Sequence, residues 1–283
     1  MNKQVLTQVD APLSEVVVTR WRNGVVSQAT DKVAEEVPIA LIYNGVSHAV
    51  MLATPQDLED FALGFSLSEG ILQNKSELYD VEIVKQPLGI ELRLDVATEA
   101  FVKLKQRRRN LVGRTGCGLC GAESLEQALR LPEINKNDAL EANIHAPSSL
   151  VVNASSIIKA FRTIQTTQVL QQATGATHAC AWVDASGEVQ LLREDVGRHN
   201  AMDKLIGALA KLPRQNEGFV LTSSRASVEM VQKVAIAGFG ILAAISAPTA
   251  LAVRIAEDYG VTLVGFLRDN QFVMYANPQR IKS

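Results

Sequence analysis

Two stretches of alternating apolar residues, Val37 to Tyr43 and Val46 to Leu52, flank Asn44-Gly45. Alternation with a period of two lays one face of each strand on a core, and Asn-Gly tolerates the positive φ angles of a tight turn. The pair is therefore predicted to be a β-hairpin. Thr54-Pro55-Gln56-Asp57 follows. A hydroxyl N-cap, a proline at the first helical position and an acid three residues on predict a helix through Leu67. Two more strands are predicted at Val81 to Lys85 and Ile90 to Val96, with Pro87 to Gly89 as the turn. Residues 1–110 thus read as a small N-terminal α+β domain.

After residue 150 the period switches repeatedly between helical and strand spacing. The pattern predicts helix 155–172, strand 177–183, strand 188–192, helix 199–210, strand 218–222, helix 226–237, strand 240–245, helix 249–258, strand 261–266 and a last short strand 272–275. Ser186-Gly187 makes the first two strands a hairpin, and the later strands alternate with helices. A three-layer α/β sandwich with a partly parallel sheet is expected over 151–283. Residues 111–150 are left as a linker; its stretch from 131 on, with prolines and many polar residues, reads as irregular. The uncharged run Val234 to Val253 is long enough to cross a bilayer. Gly238, Gly240, Ser246 and Pro248 break it, so it parses as a helix end, a buried strand and a helix start rather than a membrane span.

With 283 residues, 47% hydrophobic and 20% charged, the chain has length for two cores. A net charge of −2 argues against a general nucleic-acid surface, while leaving room for a local anion site. The first twenty residues lack a basic-then-apolar secretory pattern, which predicts a cytoplasmic chain with reduced thiols.

In open α/β sheets, ligands bind beyond the carboxyl ends of the strands, where helix N-termini present free N–H groups. Four such loops carry polar residues: Glu194 to His199, Ser223-Ser224-Arg225, Ser246-Ala247-Pro248-Thr249 and Leu267-Arg268-Asp269-Asn270. Small hydroxyls or an arginine before a helix suit phosphate or pyrophosphate; Ser224, Ser246 or Thr249 taken alone reads as a plain N-cap, and it is their convergence on one rim that favours a ligand. Asp195, Arg198 and His199 are pocket candidates; Cys180, in an apolar strand, is expected to be buried core. The element order resembles the cytidine deaminase fold. Zinc deaminases need His-x-Glu and Pro-Cys-x-x-Cys at two helix starts. The matching places hold His199-Asn200-Ala201 and Ser223-Ser224-Arg225-Ala226-Ser227, so deaminase chemistry is not expected, whereas recognition of a nucleobase such as guanine is compatible with the vacated pocket.

The chain has three cysteines, and two of them form Cys117-Gly118-Leu119-Cys120 within a glycine-rich segment from Gly113 to Gly121. The basic run Lys103, Lys105, Arg107, Arg108 and Arg109 precedes it and reads as the connection between domains. Positive charge nearby favours a thiolate, and glycine at this density favours a mobile loop over a helix start. Two thiols at this spacing hold a metal, cycle through a disulfide or carry sulfur as a persulfide. A structural zinc site needs four ligands and the pair supplies two, so no zinc is expected. The other two chemistries stay open on the residues alone.

Nearly the whole chain, from Ala34-Glu35-Glu36-Val37-Pro38 to Pro278-Gln279-Arg280, strongly resembles the FdhD family, accessory sulfurtransferases needed for formate dehydrogenase activity. The resemblance rests on Gly113 to Gly121, Thr174-Gly175-Ala176-Thr177-His178, Glu194 to His199, Ser223 to Lys233 and Ala247-Pro248-Thr249. It implies that a cysteine desulfurase passes persulfide sulfur to Cys117, with Cys120 assisting or accepting in turn. The sulfur then goes to the molybdenum cofactor, bis(molybdopterin guanine dinucleotide), before insertion into formate dehydrogenase. It further implies that Phe266, Leu267, Arg268, Asp269, Asn270 and Gln271 contact that guanine-dinucleotide cofactor and that the chain forms a homodimer; on independent grounds, the rim residues Ser223, Arg225 and His199 suit the same ligand. The competing readings are a dithiol–disulfide oxidoreductase and a metal-binding module built on the same pair.

Overall fold

The computed structural model describes residues 11–112, 150–213 and 217–283. Cys117, Cys120, their glycine-rich segment and nearly all of the stretch read as irregular lie outside the described residues.

The chain opens with a hairpin that the sequence reading passed over, β1 (Leu13–Arg22) and β2 (Val25–Ala34), turned at Asn23-Gly24 with φ angles of 52° and 82°. The two strands pair only with each other, Trp21 opposite Val26 and Val17 opposite Thr30. Every residue from Thr19 to Gln28 is exposed. The apolar alternation in this arm has no core beneath its outer half, so polar residues interrupt it and weaken the pattern.

β3 (Val37–Tyr43) and β4 (Val46–Ala53) form the expected hairpin, and with β5 (Leu78–Gln86) and β6 (Gly89–Val96) they make a sheet in the order β4-β3-β6-β5. The alternating residues Val37, Ile39, Leu41 and Tyr43 are buried under α1 (Leu58–Ser68), which contributes Phe61, Ala62 and Phe65. The helix starts three residues later than Thr54 predicts. Asp57 is its N-cap, in a left-handed conformation with φ 53° and no side-chain cap. Thr54 is committed elsewhere: its N–H donates to Asp195 Oδ2 (3.0 Å), its Oγ1 accepts from Val196 N–H (3.1 Å) and its carbonyl accepts from Lys204 Nζ (2.9 Å). The basic run, read as the connection between domains, lies on a further helix, α2 (Thr98–Val112), and Ala100 and Leu104 anchor that helix to the same core.

After β7 (Val152–Asn153), helix 155–172 appears as two helices, α3 (Ala154–Thr167) and α4 (Val169–Thr174). The break has a specific cause. The buried carboxylate of Glu194 accepts the N–H groups of Leu170 and Gln171 (3.0 and 2.9 Å), caps a new N-terminus and halts the first helix at Gln168. β8 (His178–Asp184), β9 (Val189–Asp195), α5 (Arg198–Lys211), β10 (Gly218–Thr222), α6 (Val228–Ile236), β11 (Ile241–Ala244), α7 (Ala250–Asp258), β12 (Thr262–Arg268) and β13 (Gln271–Ala276) follow closely the predicted boundaries, and β14 (Ile281–Lys282) pairs with β7. The six-stranded sheet runs β13-β12-β11-β10-β8-β9, parallel across β10, β11 and β12 and antiparallel elsewhere. α3 covers one face and α5, α6 and α7 the other, which makes three layers. Sandwiched on both sides, β10 and β11 are buried at every position and read as continuous apolar runs. The uncharged run resolves into the end of α6, β11 and the start of α7, and no described helix is long and apolar enough to cross a membrane. Cys180 is fully buried, and burial pushes its thiol up to about 12.

α1 and α5 cross at two glycines. A Cβ on Gly64 would lie 1.7 Å from Asp203 O, and one on Gly207 would lie 1.9 Å from Asp60 O. Around this crossing, Arg193 donates through Nε and Nη2 to Asp60 Oδ2 (2.9 and 2.7 Å), and Lys233 Nζ donates to Asp203 Oδ1, Ser68 Oγ and Glu69 Oε1, each at 2.8 Å.

Candidate functional site

The ends of β9, β10, β11 and β12 share one rim of the large sheet with the start of β8, and the loops there are tied to one another. Ser223 extends the pairing of β10 with β8: its N–H donates to Ala179 O (2.9 Å) and its Oγ accepts Ala179 N–H (2.8 Å). Ser246 N–H donates to Ser224 O (3.4 Å), and Phe266 N–H donates to Ser246 O (3.3 Å). Thr249 Oγ1 accepts Ala252 N–H (3.2 Å) and is the N-cap of α7. Arg225, between the two serine-bearing turns, points a side chain into solvent. The predicted convergence of these loops is present; Ser223 Oγ helps tie it together, while Thr249 Oγ1 caps its own helix.

The Glu194-to-His199 segment divides in two. Glu194 caps α4, and Asp195 is fully buried against Lys204 Nζ at 2.7 Å, both side chains at zero exposure. Asp195 also accepts the N–H of Gly197 (2.7 Å) and Nδ2 of Asn200 (3.0 Å). It is therefore a structural anchor and not a pocket residue, because all its acceptor capacity is used inside the fold. Arg198 and His199, on the first turn of α5, differ. Arg198 Nε and His199 Nε2 are shielded from solvent and have no hydrogen-bond partner among the described residues, while Ser227 Oγ, at the N-cap of α6, faces the Glu229 carboxylate. His199 Nε2 lies 3.8 Å from Glu229 Oε2, beyond hydrogen-bond reach. Burial and the neighbouring Arg198 charge bring the His199 pKa down to about 4, with Glu229 opposing, and the same two causes lower His178. Both imidazoles are neutral at pH 7, so each offers one donor and one acceptor. Two unsatisfied polar atoms at the start of α5, beside the N-terminus of α6, suit a ligand with acceptor oxygens or a heterocycle edge.

The turn joining β12 to β13 carries the other candidates. Phe266 is exposed, with φ 52°; Leu267 is buried in the core beneath α3. Arg268 Nη1 donates to Ile245 O (2.7 Å) and Leu267 O (2.8 Å). The Asp269 carbonyl and Asn270 Oδ1 both accept from Arg162 Nη2 at 2.9 Å, and Gln271 faces solvent. Two grooves flank this turn. One of about 390 Å³ is lined by Phe266, Arg268, Gln271, Phe272 and Val273, and one of about 470 Å³ by Ser155, Ile158, Lys159, Arg162, Thr163 and Asn270. Arg162 is a functional candidate that the sequence reading missed, because an arginine on the polar side of an amphipathic helix carries no distinguishing pattern. Among the described residues, no group of three or more His, Cys, Asp or Glu is placed to hold a metal ion.

A family model described as FdhD/NarQ matches residues 34–282. The sulfur carrier protein FdhD of Cupriavidus necator is 58% identical over 270 residues, which span 95% of this chain and 90% of that protein. Its counterpart in Bordetella petrii is 51% identical over 275 residues, 95% of this chain and 94% of that one. The crystal structure of a putative formate dehydrogenase accessory protein from Desulfotalea psychrophila superposes with a TM-score of 0.72 at 22% identity, covering 96% of this chain and 100% of that chain, and so shares the fold.

Proposed function

This chain belongs to the FdhD/NarQ family, and from that premise we propose that it is a sulfur carrier serving formate dehydrogenase maturation in the cytoplasm. In this reading the Cys117 thiolate attacks the outer sulfur of a persulfide on a cysteine desulfurase. One S–S bond forms as another breaks, and the donor cysteine leaves as a thiolate, so no external oxidant or reductant is consumed. Cys120 then relays the sulfur or assists its release to the molybdenum cofactor, which is the acceptor substrate. The observation that carries the proposal is the family match over residues 34–282, which contains the Cys117–Cys120 pair within it.

The rim supports a site for the acceptor. Arg198 and His199 hold polar atoms without a partner among the described residues, and Arg268 and Gln271 border a groove beside the Phe266 turn. Such groups fit the phosphates and bases of a guanine-dinucleotide cofactor, which they would bind and orient; the sulfur itself comes from the cysteine pair. We read the six-stranded unit as cytidine-deaminase-like on the strength of its strand order and its helices on both faces.

Intact-protein mass spectrometry after incubation with a cysteine desulfurase and cysteine tests the carrier role. A reductant-labile gain of sulfur is expected in the wild type and Cys120→Ala, and none in Cys117→Ala. A gain that persists in Cys117→Ala sinks the assignment, and an internal Cys117–Cys120 disulfide with no added sulfur moves the dithiol oxidoreductase ahead.

A further inference from the structure

The basic run on α2 concentrates charge that the helix itself opposes. Thr98 to Gly121 contains six basic residues and one acid, Glu99, in a chain whose net charge is −2. Ala100 and Leu104 turn inward to the small-domain core, while Val102, Lys103, Lys105 and Gln106 are exposed. Lys103 Nζ reaches Glu99 Oε1 at 2.9 Å, with both side chains more than half exposed, and Lys105 Nζ lies 4.5 Å from the centroid of the Phe101 ring. An exposed ion pair of this kind contributes little. Against it, Lys103 with Arg107 and Lys105 with Arg109 stand four residues apart on one helix, where like charges destabilise. The helix dipole favours cations within the last turn, which ends at Val112, and so does not account for Lys103 and Lys105. Repulsion left standing along a helix is relieved by an anionic partner.

The anion is a protein surface rather than a lipid or a nucleic acid. A helix that lies on a membrane turns its apolar face outward. α2 packs Ala100 and Leu104 against the core instead, and Val102 stands exposed among polar neighbours. A net charge of −2 is the opposite of the balance that nucleic-acid binding favours. The place of the helix along the chain is the positive argument. α2 ends at Val112 and Cys117 follows five residues on, so any path of the chain keeps that thiol within about 18 Å of the helix end. A body docked on α2 is thereby held within reach of the thiol. Sulfur bound as a persulfide to a donor protein does not diffuse by itself, so the donor has to dock.

We propose that α2 is the docking surface for the persulfide-donating protein, which meets Lys103, Lys105 and the arginines that follow them through an acidic surface beside its donor cysteine. This rests on the reading of Cys117 as a sulfur carrier and adds where the donor binds. Opposite charges steer such encounters, raise the association rate and fix the orientation, and salt weakens all three effects.

Sulfur loading of the full-length protein, followed by intact mass against time, tests the surface with two sources: a cysteine desulfurase with cysteine, and a small uncharged alkyl persulfide that needs no docking. From either source the outer sulfur passes to Cys117 and a thiolate leaves, so the chemistry is shared and the docking differs. Lys103→Glu combined with Lys105→Glu is expected to slow loading from the desulfurase about tenfold or more at low salt, and loading from the alkyl persulfide by less than about twofold. The desulfurase deficit is expected to narrow as salt rises from about 0.05 M to about 0.5 M. Lys103→Arg combined with Lys105→Arg keeps the charge and is expected to load at the wild-type rate. Glutamate and arginine are both good helix formers, so both double variants are expected to melt with wild type. Desulfurase loading of the glutamate variant at the wild-type rate overturns the docking surface, as does a deficit that salt leaves unchanged or that the arginine variant shares. Binding of wild type to anionic vesicles or duplex DNA, lost in the glutamate variant while desulfurase loading is unaffected, gives the helix to another anion and overturns it too. A wild type that gains no sulfur from either source overturns the carrier reading itself.

Discussion

His199 shows how a single side chain can register both the fold and the ligand site. Its folded pKa of about 4 lies below the ordinary 6.5, because burial and Arg198 disfavour the charged ring. The unfolded chain therefore binds a proton more readily, and the stability contributed by neutral His199 is complete above about pH 6.5 and lost as pH falls towards 4. The urea midpoint is expected to drop between pH 7 and pH 5, and His199→Gln to flatten that drop; an equal drop in the variant would assign the acid sensitivity elsewhere. The position of His199 at a helix start was legible in the sequence, as was the burial of Cys180. That Asp195, four residues earlier, is locked to Lys204 was not, because the partner sits on the next helix and the bonds that complete the site come from Thr54 and Asn200. Spacing along a chain identifies polar residues that gather; it does not say which of them spend their hydrogen bonds on each other.

At the scale of elements, the crossing of α1 and α5 is the joint most sensitive to substitution. A methyl group on Gly207 would lie 1.9 Å from the Asp60 carbonyl, and backbone cannot yield as a flexible side chain does. Gly207→Ala is expected to destabilise the protein by about 3 kcal/mol or more, at the upper end for overpacking, read from urea denaturation. A loss under about 1 kcal/mol would mean that the two helices re-seat around the methyl. Neither Gly64 nor Gly207 carries any signal in the sequence beyond a residue that weakens a helix. By contrast, β3, β4 and the later strands were read almost to the residue, since their alternation and turns are local. The errors fall where a distant group intervenes: the Glu194 carboxylate splits one predicted helix, and Asp195 draws Thr54 away from the cap it would have made.

Across the whole molecule, the large sheet is a covered slab, and the β1–β2 arm, about 33 Å long at the usual rise per residue, pairs with none of its strands and meets it at α4. A two-stranded ribbon with no core under its outer half is marginal on its own, and it opens readily. Trypsin is accordingly expected to cut native protein early at Arg20 and Arg22, before the arginines and lysines of α3 and α5, as read by fragment masses. Protection at those two arginines would mean that something covers the arm. The sequence held the clue in Asn23-Gly24, the same dipeptide as the recognised turn at Asn44-Gly45. It went unread because exposed strands lack the two-faced pattern that burial imposes.

The two tryptophans of the chain fall at opposite extremes of environment. Trp21 stands at the arm tip, 70% exposed, whereas Trp182 is buried at 3%, its ring 4.8 Å from that of Phe239. The protein thus carries its own pair of optical labels, one red-emitting and open to quenchers, the other blue-emitting and shielded. Contact at the arm and melting of the slab become separable colours of one unmodified chain.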